Sequence, residues 1–274
     1  REFGARIRYW VPEEAESIEE EGDEAESNEE LEVTIQILSG SEVVRRLTGP
    51  GGPGLHQVEW AMDRSGTRPP NREEPGDPEN APEPGGPLLL PGDYTVRVIL
   101  GADTAQSSVR VLPDHRISFD INTARAVDQL NTRLLDAQRR TTDVADRIRN
   151  ARTTITRVED LLDEWDGEEQ RADSLKEYGS RVDEALEVMY ESIVGESGQR
   201  RVNQPSVITS RLRSASSALS SGRWQEPTQT ALRALERVEQ AVAELESAAN
   251  QWFETDWLEF RTAVEAFGLT LFGD

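Results

Sequence analysis

The sequence predicts an α+β chain of two domains, an antiparallel β-sandwich followed by an all-α helical domain. Three observations predict it. Residues 5–113 carry short alternating apolar and polar runs between glycine and proline punctuation. From Asn122 the apolar spacing becomes 3-4-3-4 and holds for more than five repeats. A length of 274 residues accommodates two domains. The patterns place the division at 1–114 and 115–274.

The first strand alternates Ile7, Tyr9 and Val11 with Arg6, Arg8 and Trp10. A second alternates Leu31, Val33, Ile35 and Ile37 with polar neighbours, and "SGSE" at 39–42 turns it into Val43–Leu47. Leu55–Met62 follows, with Val58, Trp60 and Met62 on one face. Tyr94, Val96, Val98 and Leu100 form another strand, and after "GADTAQ" come Val109 and Val111. About six strands with no helical pattern between them make a small sandwich. Two insertions interrupt it. Residues 13–30 are mostly acidic, and 63–87 are rich in proline and charge. Neither holds enough apolar surface to offset its ordering entropy, so both are expected to be disordered-type excursions.

The helical half opens with a long heptad helix over about 122–165. Its seam is Val127, Leu130, Leu134, Ala137, Thr141, Val144, Ile148, Ala151, Ile155, Val158, Leu162 and Trp165. That is a rod of about 65 Å. Gly167 is the expected C-terminal cap. A second helix turns Leu175, Tyr178, Val182, Ala185, Met189 and Ile193 inward and stops near Gly195. A third starts at Pro205, with Ile208, Leu212, Ala215 and Leu219 inward. A fourth starts near Pro227, with Leu232, Leu235, Val238, Val242, Leu245 and Ala249 inward. Short polar links predict an antiparallel bundle or long helical hairpin.

Composition excludes several functions. A formal net charge of −23 would repel nucleic-acid phosphates and anionic lipid. With no cysteine there is no disulfide, thiolate nucleophile or zinc–thiolate site. No apolar run approaches the roughly 18 residues a membrane span needs. Lys176 is the only lysine among 30 basic residues, so ion pairs fall to arginine, whose guanidinium grips carboxylates bidentately. The chain enters strand pattern directly at "REFGARIRYWV", which reads as a processed or trimmed piece of a longer precursor.

No catalytic, cofactor-binding or metal-ligating constellation is expected. The two histidines, His56 and His115, have no evident nucleophile or carboxylate partner. "GPGGPG" at 49–54 is broken by proline and reads as a turn, not a phosphate cradle. The candidate site residues are aromatic. "NQWFETDWLEFRTAVEAFGLTLFGD" sets Phe253, Trp257, Phe260, Val264 and Phe267 on one helical stripe, a four-residue stutter from the preceding seam. With Trp252 and Phe272 these rings either pack on the first helix or the sandwich, or anchor a partner. Trp10 and Trp60 are candidate sugar-stacking platforms, although a tryptophan in a strand more commonly packs in a core.

"FGARIRYWVP", "VTIQILSGSEVVRRLTG", "GLHQVEWAMD" and "PGDYTVRVILG" resemble a module at the C-terminus of large bacterial sortilin-like propeller proteins, often labelled BNR-repeat glycosyl hydrolases. That module is Ig-like and similar to that of flagellar hook-capping proteins. "NQPSVITSRLRSASSALSSGRWQEPTQTALRALERVEQAVAEL" resembles their final helical hairpin. The resemblance implies an exported, periplasmic or cell-surface protein and carries no catalytic residue, since nothing here matches the propeller. The acid- and Arg-rich composition resembles that of gemmatimonad-type bacteria. In that setting the chain also resembles an accessory subunit on the periplasmic face of a photosynthetic reaction-centre complex.

The expectation is therefore a non-catalytic structural subunit, peripheral to the membrane, held to protein subunits of a larger assembly. The alternatives are the accessory module of a secreted propeller enzyme and a carbohydrate-binding Ig-like domain.

Overall fold

The computed structural model describes residues 4–13, 32–76, 81–165, 167, 169–195, 206–220 and 225–269. Nearly all of the acidic insertion, Leu31, Pro205 and the final residues with Leu271 and Phe272 lie outside them. An N-terminal antiparallel β region is followed by helices. The strands are β1 (Ala5–Val11), β2 (Glu32–Ser39), β3 (Glu42–Pro50), β4 (Gly54–Trp60), β5 (Asp63–Ser65), β6 (Gly85–Leu88), β7 (Gly92–Leu100) and β8 (Asp103–Val111). The helices are α1 (Ile121–Asp163), α2 (Glu169–Val194), α3 (Ile208–Ser220), α4 (Gln229–Glu254) and α5 (Asp256–Phe267).

Two compact units result. One is Arg1–Thr67 with Pro75–Gln129, and the other is Arg68–Glu74 with Leu130–Asp274. The change of unit falls inside α1.

In the β unit the sheet order is β3-β2-β7-β8, beside the pairs β1-β4 and β5-β6. Alternation drives Val33, Ile35 and Ile37 fully inward from β2. Leu38 is buried as well, because the β2–β3 register shifts between Ile37 and Leu38. Tyr9, Val11, Trp60, Leu89, Tyr94 and Val96 complete one core. Trp60 lies edge-to-face with Tyr94 at 6.1 Å and donates its Nε1–H to Asp63 O at 3.0 Å. A two-residue turn joins β7 to β8, with Gly101 at φ 53° where a side chain would be strained.

The Pro-rich insertion departs from its expected disorder. Its ends pair as β5 and β6. Arg45 of β3, itself buried, donates to Pro84 O and faces buried Asp63 at 3.8 Å. Residues 68–74 pack as a strap on α1, where Thr142 Oγ1 donates to Arg68 O at 2.8 Å. Arg149 donates to Pro70 O at 2.6 Å and Arg72 O at 3.0 Å, and Arg68 pairs with Asp146. Pro70 is buried. The strap is held through its carbonyls, the Arg68–Asp146 pair and the buried Pro70.

Along α1 every seam residue from Val127 to Leu162 is buried. Asp120 caps the helix start by accepting the Thr123 N–H at 2.7 Å. Trp165 is the exception to the seam. The helix ends at Asp163, and the ring is 43% exposed. Gly167 takes no left-handed turn, so the expected cap does not form. On α2 the buried row is Ala172, Leu175, Gly179, Val182, Leu186 and Ile193. Ala185, expected inward, is exposed, because the 3-4 rhythm set by Ala172 selects Leu186. The α3 row is buried as expected. On α4 the buried row contains Leu235, Val238, Val242, Leu245 and Ala249, while Leu232 is only partly buried.

Helix directions differ from an up-down-up-down bundle. α2 runs antiparallel to α1, since Arg149 meets Tyr190, Arg152 meets Asp183 and Asp163 meets Lys176. α4 runs parallel to α1, because Arg133 pairs with Glu239 and Arg140 with Glu246, while Arg147 donates to Asn250 at 2.8 Å. α3 packs on α4, and together the shorter α2 and α3 approach the length of α1. All five helices contribute to one apolar core.

Candidate interaction surface

The aromatic segment begins where α4 ends. Thr255, at φ −111° and ψ −81°, breaks the helix, and its N–H bonds back to Gln251 O and Trp252 O. The seam changes register here, so the expected stutter is realised as a break and a new helix. α5 ends at Gly268, φ 101°, where Gly268 N–H meets Glu265 O and Leu269 N–H meets Val264 O, a Schellman pair.

The break sorts the aromatic rings. Phe260 and Val264 are fully buried and Phe253 nearly so, which makes Phe253 and Phe260 core residues instead of partner anchors. Phe260 sits edge-to-face on Tyr178 at 5.6 Å and packs beside Gly179. The Arg147 guanidinium lies 3.9 Å over the Phe253 ring.

Trp252, Trp257 and Phe267 are half-buried at the rim of this core. Trp252 and Trp257 stack across the break at 6.5 Å, and Leu258 beside them is 54% exposed. Phe267 meets Trp165 at 5.0 Å and carries Arg171 over its face at 5.3 Å. The sequence stripe thus splits into a buried row and an exposed aromatic rim. Phe272 lies outside the described residues.

The remaining polar groups are largely tied to one another. His56 Nε2 lies 2.6 Å from Gly52 O and its ring 5.4 Å from that of Tyr9, an arrangement that braces the β3–β4 turn. A groove of about 520 Å³ between α1 and α2 is lined by Arg152, Thr156, Glu159, Ser180, Asp183 and Glu184. There Arg152 binds Asp183 at 2.7 Å and Glu187 at 2.5 Å. Burial, then the nearby Asp183, Asp160 and Asp163, push the Glu159 carboxyl above its ordinary range. Among the described residues no group of three or more His, Cys, Asp or Glu is placed to hold a metal ion. No helix among them is long and apolar enough to cross a membrane.

The two platform candidates separate sharply. Trp60 is completely buried, with its indole N–H spent on Asp63 O, so it offers no face to a sugar. Trp10, for which a core position is the commoner fate, is 67% exposed, because alternation on β1 turns it outward with Arg6 and Arg8. No family model, curated protein or solved structure matches the chain.

Proposed function

We propose that the chain is a non-catalytic accessory subunit, docking from the periplasmic side on a larger, membrane-embedded assembly that it stabilises. In this reading the β unit is an Ig-like sandwich and the helical unit a stiff bundle. The sharing of one core by β1, β4, β2 and β7 supports the first, and the single core of five helices supports the second. The observation that carries the proposal is the aromatic rim at the α4–α5 break. Trp252 and Trp257 rest on the buried Phe253 and Phe260 rings and keep part of their own surface exposed. Rigid, partly exposed tryptophans concentrate binding energy at protein interfaces. The resemblance read from the sequence suggests a photosynthetic reaction-centre complex as the kind of assembly.

The test is Trp252→Ala combined with Leu258→Asp, with melting temperature and co-purifying proteins both measured. The proposal expects partners to be lost while the melting temperature falls by only a few degrees. Retention of the same partners by a folded variant contradicts it.

A further inference from the structure

Trp10 is the most exposed tryptophan among the described residues, and Leu55 of β4, directly opposite it, is 68% exposed. Alternation puts Arg8 and Arg6 on the same face, and the register sets Gln57 and Glu59 across from them. Arg8 Nε donates to Gln57 Oε1 at 3.0 Å, and Arg6 meets Glu59 at 3.5 Å. Behind this face Tyr9, Val11 and Trp60 are buried, so the ribbon is held from its inner side. The outer face is therefore a row of three cross-strand pairs: one apolar, one hydrogen-bonded, one charged. At about 3.4 Å per residue the row is about 14 Å long.

We infer that this face binds a neutral glycan chain, with one pyranose ring stacked on Trp10 and the hydroxyls of the next held by Arg8 and Gln57. Size argues against a protein partner here. A whole aromatic side chain offers about 150–250 Å². The apolar end, Trp10 and Leu55 alone, then amounts to roughly 300 Å², against about 800 Å² per partner in a stable protein interface, a little over half of it apolar.

A pyranose matches this face in both respects. Its axial C–H face packs on an indole, and its edge hydroxyls need the planar donors and acceptors that guanidinium and amide groups supply. Glu59 answers the Arg6 charge in place, and the formal net charge of −23 opposes an anionic ligand, which together favour hydroxyls as the ligand chemistry. The row runs along the strands and is open at its ends, so it suits a polymer better than a free monosaccharide.

The test titrates the full chain with cellohexaose, xylohexaose, laminarihexaose and chitohexaose, following calorimetry and tryptophan fluorescence. At least one probe is expected to bind with Kd of about 1 mM or tighter. Trp10→Ala should weaken it at least about tenfold, Trp10→Phe less, and Gln57→Ala severalfold. The melting temperature should stay unchanged, because the ring is exposed. Absence of binding by all four probes overturns the inference. So does unchanged affinity in Trp10→Ala, or loss of a co-purifying protein from that variant with no glycan bound. Failure here leaves the aromatic rim of α4 and α5 untouched, because that surface is probed by different residues.

Discussion

Arg140 of α1 and Glu246 of α4 form an ion pair one heptad beyond Arg133 and Glu239, so both helices advance together in the same direction. Each pair is partly exposed and contributes on the order of 0.5 kcal/mol or less. Its value is directional, since an antiparallel α4 would oppose these residues to other partners. Arg140→Glu should lower the melting temperature by about 2–4 °C, and adding Glu246→Arg should restore most of it. Thermal denaturation of the single and double variants checks this. Absence of rescue would mean that the two side chains do not meet.

Gly179 and Phe260 make a sharper pair. A Cβ at Gly179 would lie 3.4 Å from Ile155 Cγ2 and 3.7 Å from Phe260 Cε2, which is ordinary contact. Gly179→Ala should therefore stabilise α2 by about 0.5–1 kcal/mol through helix propensity alone. Gly179→Leu should destabilise, for want of room. Phe260→Ala, emptying a fully buried site, should cost about 3–5 kcal/mol, whereas Leu258→Ala should cost little. Denaturant midpoints separate the four outcomes.

Glu159 predicts a pH effect with a definite sign. Burial, followed by neighbouring carboxylates, raises its folded-state pKa above the unfolded value. The stability tied to this group is fully present below the unfolded pKa and is lost as pH rises through the folded one. At neutral pH its ionised form works against folding. Glu159→Gln should raise the melting temperature at pH 7, and the gain should vanish below about pH 4. A gain that persists undiminished at low pH would point to packing instead of charge.

Arg149 tests the strap. It donates to two strap carbonyls and is itself positioned by Asp146 and the Tyr190 hydroxyl. Arg149→Ala should speed tryptic cleavage after Arg72 severalfold, since local opening governs access. Mass spectrometry of early peptides reads this directly. An unchanged rate would assign the hold to the contacts of Arg68 with Asp146 and Thr142.

The elements that were legible in the sequence are those fixed by side-chain period. Eleven seam positions from Val127 to Leu162 could be read because an uninterrupted heptad leaves one face for the core. Alternation likewise separated Trp10 from Tyr9 and Val11 on β1, although the frequency of buried strand tryptophans pulled the other way. What escaped had causes outside any period. The direction of α4 was hidden because a heptad looks the same to parallel and antiparallel neighbours. The strap was missed because its partners are backbone carbonyls, which have no signature among the residues that carry them. On α2 the small residues Ala172 and Gly179 carry the inward row, so Ala185 looked as eligible as Leu186. The aromatic stripe was visible as a stripe. Its division into core and rim depends on the break at Thr255, a residue with little to mark it as a helix end.

Gentle detergent extraction of native membranes, followed by size-exclusion chromatography with identification of co-eluting proteins, tests the central claim most directly. The account predicts that the chain elutes with a membrane complex far larger than itself and is released when Trp252 and Leu258 are altered. Elution of the unaltered chain alone, at its own size, would contradict it.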